Sequence, residues 1–245
     1  MRGVRSVRLS RRSDAPHVPV TLERARKNLR ALANPPKARV HRRFFKETDD
    51  VFLGVTTPQI RTLARHCEAL SLTDVSKLVK SGVHDEHSLA HAILVRKFRA
   101  GDERTQTRIF RFYMSHRKHI RSWDGVDDTA PYIVGPYLLR RNKQALYELA
   151  RAPRIWDRRI AVVATWWFIR QGEIKPTLKI VKMLLGDRED LIHKACGWML
   201  REAGKRNLAA LREFLRTHSA RMPRTTLRYA IERMSPKERA FWLGK

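Results

Sequence analysis

Almost every segment after Thr21 repeats its apolar residues at three- and four-residue intervals, and no stretch sustains a two-residue apolar/polar alternation. That property restricts the fold more than any other. A helical period cannot keep one face on a β-sheet, whereas it buries one stripe of each helix against its neighbours. Over residues 21–33, Leu22, Leu29 and Leu32 share a face until Pro35-Pro36 stops the pattern. Residues 38–46 read as a short helix, 47–50 as an acidic break, and Pro58 opens a helix striped by Ile60, Leu63 and Ala64. Further helical windows cover 73–81, 86–99, 103–117, 129–139 and 142–150, then 157–170, 175–185, 187–202, 207–217, 224–234 and 236–242. The last of these opens with Ser235-Pro236-Lys237-Glu238, a capping box with proline at the first helical position. About thirteen helices with short Gly-, Pro- or Asp-punctuated turns predict an all-α fold, an α-solenoid of antiparallel helix pairs. Self-similarity between pairs is poor, so the repeat is degenerate.

What such a stack would hold is indicated by its charge. The 245 residues carry 52 Lys+Arg against 24 Asp+Glu, a formal +28. An excess of this size implies a polyanionic partner, because alone it only repels itself. Nucleic acid leads, ahead of an anionic membrane surface or an acidic protein. Residues 1–43 hold 13 basic residues against two acids, but the remainder still carries most of the excess. The folded body is therefore basic, and a basic concave solenoid face suits a duplex. Residues 1–18 are Arg-rich with no acid before Asp14 and no apolar core segment, which excludes a secretory signal. They read as a flexible DNA-contacting arm or a transit peptide, with residues 19–245 as a single domain. The longest largely apolar run, 160–169, is too short to span a bilayer. Two cysteines, Cys67 and Cys196, exclude a disulfide framework or a four-thiolate zinc site and suit a reducing, intracellular, cytoplasmic setting.

Four places combine aromatic and ionisable residues. In Trp123-Asp124-Gly125-Val126-Asp127-Asp128, an indole and a carboxylate four positions apart can share a helix face. The same stretch also reads as a plain N-cap, with Asp127 or Asp128 capping the helix that runs through Thr129. In Trp156-Asp157-Arg158-Arg159, Asp157 suits the first helical turn, and one arginine can grip a phosphate while the other is solvated. In the helix around His193-Lys194-Ala195-Cys196-Gly197-Trp198, residues Ile192, Ala195 and Met199 form the core stripe. Gly197 lets a neighbouring helix or a ligand approach closely, and Trp198 is by default a core residue. His84, His87 and His91 share a face, but without an HExxH spacing a metal site is not expected.

Together these stretches resemble the DNA alkylation repair family, the HEAT-like-repeat DNA glycosylases of the AlkD type. The resemblance is carried by Phe52-Leu53-Gly54-Val55-Thr56-Thr57-Pro58, Trp123-Asp124-Gly125-Val126-Asp127, Trp156-Asp157-Arg158-Arg159-Ile160-Ala161, Ile192 to Glu202, and Met222 to Ala230. It runs over roughly residues 20 to 235 in order, without large gaps. The resemblance implies a HEAT-like helical-repeat cradle that clamps alkylated double-stranded DNA and hydrolyses the N-glycosidic bond of cationic N3- or N7-alkylpurines. It implies no base-binding pocket, no cofactor, and a monofunctional, monomeric enzyme associated with the nucleoid.

The family's catalytic tryptophan and aspartate fall on Trp123 and Asp127, and its second active-site tryptophan on Trp198. Its phosphate-contacting arginine falls on Arg159, with Arg158 beside it, and an aromatic near the DNA falls on Phe45. Asp190 and Leu191 stand where some relatives carry aromatics that help hold DNA, which puts that auxiliary contact in doubt. A non-catalytic helical-repeat protein that binds DNA or RNA is the rival expectation, since a repeat fold can keep its surface and lose its chemistry.

Overall fold

A computed structural model describes residues 20–244. The arm expected over residues 1–18 lies outside the described residues. The chain winds as α1 (Leu22–Ala31), α2 (Pro35–Arg42), α3 (Thr57–His66), α4 (Leu72–Val79), α5 (His84–Ala100) and α6 (Glu103–His116). It continues as α7 (Trp123–Asp127), α8 (Val134–Leu138), α9 (Gln144–Leu149), α10 (Ile155–Arg170), α11 (Lys175–Met183) and α12 (Asp190–Arg206). It closes with α13 (Leu208–His218), α14 (Arg224–Ala230) and α15 (Pro236–Leu243). Among the described residues the one β-type pairing is an isolated bridge between Val51 and Val83, so the fold is all-α. No helix there is long and apolar enough to cross a membrane.

Three long helices form the spine of the stack. α5 packs on α3 and α4, α10 on α7, α8, α9 and α11, and α12 on α10, α13 and α14. α10 is apolar nearly all round, with Ile160 to Thr165, Phe168 and Ile169 buried, because other helices surround it. Gly197 marks the tightest crossing. A Cβ there would stand 2.5 Å from the Cβ of Tyr229 and 2.6 Å from the Thr226 carbonyl oxygen, so the residue serves the approach of α12 to α14.

Two buried acids on the first turn of α5 hold the N-terminal third together. Asp85 accepts the backbone N–H groups of Leu53 (2.7 Å) and Val55 (2.8 Å), which pins the loop before α3. Between those anchors Gly54 has φ +80°, and a Cβ would lie 2.4 Å from the Asn34 carbonyl oxygen. Glu86 pairs with Arg26 (3.0 Å) and Arg30 (3.6 Å), tying α1 to α5.

Helix ends differ from the sequence reading where caps or tertiary contacts intervene. Pro35 and Pro36 do not merely stop a helix but open α2, with Asn34 as its N-cap accepting from Lys37 N–H. α5 starts two residues before the expected 86, placing His84 and Asp85 inside it. The helix expected over 129–139 shrinks to α8, and Trp123–Asp127 forms a helix of its own. Ser235 caps α15 as its sequence indicates, accepting from Glu238 N–H.

Candidate active site

The short helix α7 owes its position to Asp124. Its carboxylate accepts from the Ser122 hydroxyl (2.5 Å) and the Gly125 N–H (2.8 Å), and lies 2.9 Å from His84 Nε2 on α5. Burial alone would raise Asp124, yet the hydrogen bond and charge of His84 hold it below the usual carboxylate range. Burial alone would lower His84, and Asp124 reverses the sign. This locked pair sets the start of α7 and so the place of Trp123.

Trp123 is held on one face and at its edge. Its indole stacks on Phe45 with centroids 5.1 Å apart and planes 3° from parallel, and Nε1–H donates to the Phe44 carbonyl at 3.3 Å. Phe45 rests in turn on Phe52 (5.2 Å) and His84 (4.6 Å), and His84 stacks on Phe52 at 4.4 Å. Phe45 is buried, so in this structure its ring supports Trp123.

At the other end of α7, Asp127 receives a bidentate pair from Arg159 of α10, with Nε 2.9 Å from Oδ1 and Nη2 2.8 Å from Oδ2. Arg159 Nη1 also donates to the Leu191 carbonyl at 2.5 Å, so one guanidinium joins α7, α10 and α12. Burial raises the Asp127 carboxyl above its ordinary value, with Arg159 opposing and Asp124 adding to the rise. Neither Asp127 nor Asp128 caps a following helix, because Asp127 is drawn to Arg159 and Asp128 ends α7. Asp128 has an exposed side chain, yet neighbouring protein desolvates it in part and, with the charge of Asp124, pushes its carboxyl up to about 6.

The two arginines of the Trp156 motif separate, and neither is simply solvated. Arg158 Nε reaches Asp187 at 2.6 Å, and its Nη1 donates to the carbonyls of Ala152 (3.1 Å) and Pro153 (2.6 Å), stapling the loop before α10. Asp157 is buried and pairs with Arg117 and Arg154, both at 3.3 Å, a structural role. Trp198 is half-buried on α12. It stands seven residues from Leu191, hence on nearly the same helix face and roughly 10 Å farther along the axis. It does not line the groove that holds Trp123 and Asp127. Asp190 pairs with Lys194 at 2.7 Å on the first turn of α12.

That groove, of about 880 Å³, runs from Trp123, Asp124, Asp127 and Asp128 to a wall of Arg61 and Arg65 on α3 and Arg96 and Arg99 on α5. Arg61, Arg65 and Arg99 are exposed and make no ion pair among the described residues. Arg99 lies 4.8 Å over Tyr132, Tyr132 meets Trp166 edge-on at 5.7 Å, and Arg170 lies 5.0 Å over Trp166. Arg159, Trp166 and Arg170 share one face of α10, so this basic and aromatic track continues from the Asp127 pair. Sequence reading missed this track, although the i, i+7, i+11 spacing on α10 was available to find it. His84, His87 and His91 do share α5, but their partners differ. His84 takes Asp124, His87 takes the Ser81 carbonyl and Asp50, and His91 packs beneath Gly125. Among the described residues no cluster of three His, Cys, Asp or Glu side chains is placed to hold a metal ion.

A model of the family described as DNA alkylation repair enzyme matches residues 25–234. No curated protein matches the chain. A solved structure described as a predicted DNA alkylation repair enzyme from Enterococcus faecalis is similar in fold, with a TM-score of 0.65 at 16% identity over 83% of this chain and 97% of that one.

Proposed function

The chain belongs to the DNA alkylation repair enzyme family, and on that premise we propose that it is a monofunctional DNA glycosylase for cationic N3- and N7-alkylpurines in duplex DNA. The carrying observation is the Asp127 carboxylate at the floor of an arginine-walled groove, beside an indole whose one face is already packed on Phe45. A cationic alkylpurine leaves readily, so its departure needs no protonation. As the C1′–N bond breaks, its electron pair neutralises the purine and positive charge develops on the deoxyribose. Asp127 stabilises that charge, orients water to form the new C1′–O bond, and takes up the water's proton. The free face of Trp123 offers a π surface to the same cation, worth ~0.5–2 kcal/mol; Trp198, which the family resemblance assigns to the same role, lies outside this groove.

Arg159 positions Asp127 and keeps further N–H donors for a backbone phosphate. Arg61, Arg65, Arg99 and Arg170 supply sequence-independent grip on the duplex. Because the groove is open and its floor is a carboxylate, selectivity rests on the lesion's charge rather than on an enclosed base pocket. The enzyme acts as an intracellular monomer without a cofactor.

The deciding experiment is release of 7-methylguanine and 3-methyladenine from methylated duplex by the full chain, beside Asp127→Asn. The variant is expected to keep its DNA affinity and lose at least ~100-fold in rate, as the loss of one electrostatic group implies. Wild-type protein that binds duplex yet frees no base would instead establish a non-catalytic helical-repeat binding protein.

A further inference from the structure

Asp85, Asp124, Asp127 and Asp128 bring four carboxylates to the lining of the groove. Three of them are answered by a neighbour. Asp85 accepts two backbone N–H groups, Asp124 faces His84, and Asp127 holds Arg159 in a pair whose formal charges cancel. Asp128 is exposed, and its side chain makes no hydrogen bond or ion pair among the described residues. The backbone that presents it is nonetheless fixed. Its N–H donates to the Asp124 carbonyl at 2.8 Å. The next residue, Thr129, is fully buried, and its hydroxyl donates to the Gly125 carbonyl at 2.5 Å. A step of about 100° along α7 turns Asp127 toward Arg159 and leaves Asp128 within the influence of Arg61 on α3. Arg61 acts on it by charge without forming an ion pair.

We propose that Asp128 is a specificity-determining residue, whose uncancelled negative charge favours a cationic purine at the reactive site over a neutral one. This deepens the glycosylase reading and rests on it for the position of the lesion. The exposed guanidiniums of Arg61, Arg65 and Arg99 suit phosphates, but by themselves they would repel a positively charged base. Beyond contact distance a cation senses the sum of nearby charges. Asp127 with Arg159 sums to none, and so does Asp124 with protonated His84. Asp128 supplies the negative charge that remains, and no ion pair has to break before it acts. It works through space on a base still stacked in the duplex, so no enclosed pocket is needed. During cleavage the positive charge moves from purine to sugar without leaving the groove. A carboxylate beyond contact distance favours both states alike, so Asp128 contributes to capture of the lesion more than to the rate once it is bound. Partial desolvation and the charge of Asp124 push its carboxyl up to about 6, with Asp127 adding to the rise and Arg61 and His84 opposing it. The charge is therefore present at neutral pH and lost in mild acid.

The test compares full-length wild type, Asp128→Asn and Asp128→Glu on two duplexes of one sequence, each with one 2′-fluoro nucleotide that resists cleavage. One carries 7-methylguanine, and the other its neutral isostere with carbon in place of N7. At pH 7, Asp128→Asn is expected to lower the preference for the cationic duplex by ~5-fold, the scale of one partly screened charge pair. Affinity for the neutral duplex should hold or rise, because a negative charge near the phosphates is gone. Asp128→Glu should keep the preference. The difference between wild type and Asp128→Asn should shrink from pH 7 to pH 5, as the native carboxyl takes up its proton. The thermal midpoint should be unchanged, since the side chain is exposed and unpaired. With 7-methylguanine on an ordinary sugar, the loss should appear in kcat/KM rather than in the saturating rate. A preference that Asp128→Asn leaves intact, equal losses on both duplexes, or a difference that persists at pH 5 overturns the proposal. So does a saturating rate lowered as far as by Asp127→Asn, or a wild type with no preference. Should the wild type release no base from an ordinary sugar, the reaction is refuted separately and the binding comparison still decides.

Discussion

Replacing Arg159 by leucine removes one partner of a largely buried pair and leaves the other in place. The Arg159 side chain is 6% exposed and Asp127 19%. Stranding one member of such a pair costs about 3–5 kcal/mol, and the partial exposure of Asp127 favours the lower end. The lost hydrogen bond to the Leu191 carbonyl adds about 1 kcal/mol. A deficit of about 4 kcal/mol at pH 7 is within the stability of a domain this size, so the variant still folds.

The pH dependence separates this account from simple loss of packing. Asp127 is already raised above its unfolded value by burial, and Arg159 is the group that holds it down. Without the guanidinium it rises further. A carboxyl raised in the folded state binds its proton more tightly there, so its contribution to stability is present at low pH and fades as pH rises through the folded value. The gap between wild type and Arg159→Leu should therefore narrow on going from pH 7 to pH 5, by about 1.4 kcal/mol for each unit that Asp127 rises within that window. Urea unfolding followed by tryptophan fluorescence at both pH values measures it. A gap that is constant or widens toward pH 5, or that is below ~1 kcal/mol at pH 7, refutes the reasoning.

Duplex affinity should fall log-linearly with salt, and Arg99→Ala should lower the magnitude of that slope by about one if Arg99 holds a phosphate. Competition binding across a salt series reads this, and an unchanged slope removes Arg99 from the footprint. Gly197→Ala places a Cβ 2.5 Å from that of Tyr229, and should cost about 1–3 kcal/mol by forcing α12 and α14 apart. A thermal midpoint equal to wild type would contradict that crossing.

Sequence patterning carried the local features of the fold. The helical period, the proline stop after α1 and the Ser235 cap depend on neighbours within one or two turns, and all appear in the structure. Gly197 was legible as a close approach because a mid-helix glycine needs a reason. The resemblance placed Trp123, Asp127, Arg159 and Trp198 on the chain, and the structure gives the first three of them joint geometry.

Tertiary contacts decided what each of those residues touches. Trp123–Asp127 has too few residues to form a stable helix alone, and it exists because His84, forty positions earlier, holds Asp124. Helical period and charge alone do not distinguish Arg158 from Arg159. Their fates diverge because a step of about 100° around α10 turns one toward Asp187 and the other toward Asp127. Phe44 and Phe45 divide in the same way, one outward and one beneath the indole. Periodicity states which residues share a face; only the packing of α5, α7, α10 and α12 states what that face meets, because those partners lie 32 to 40 residues apart along the chain.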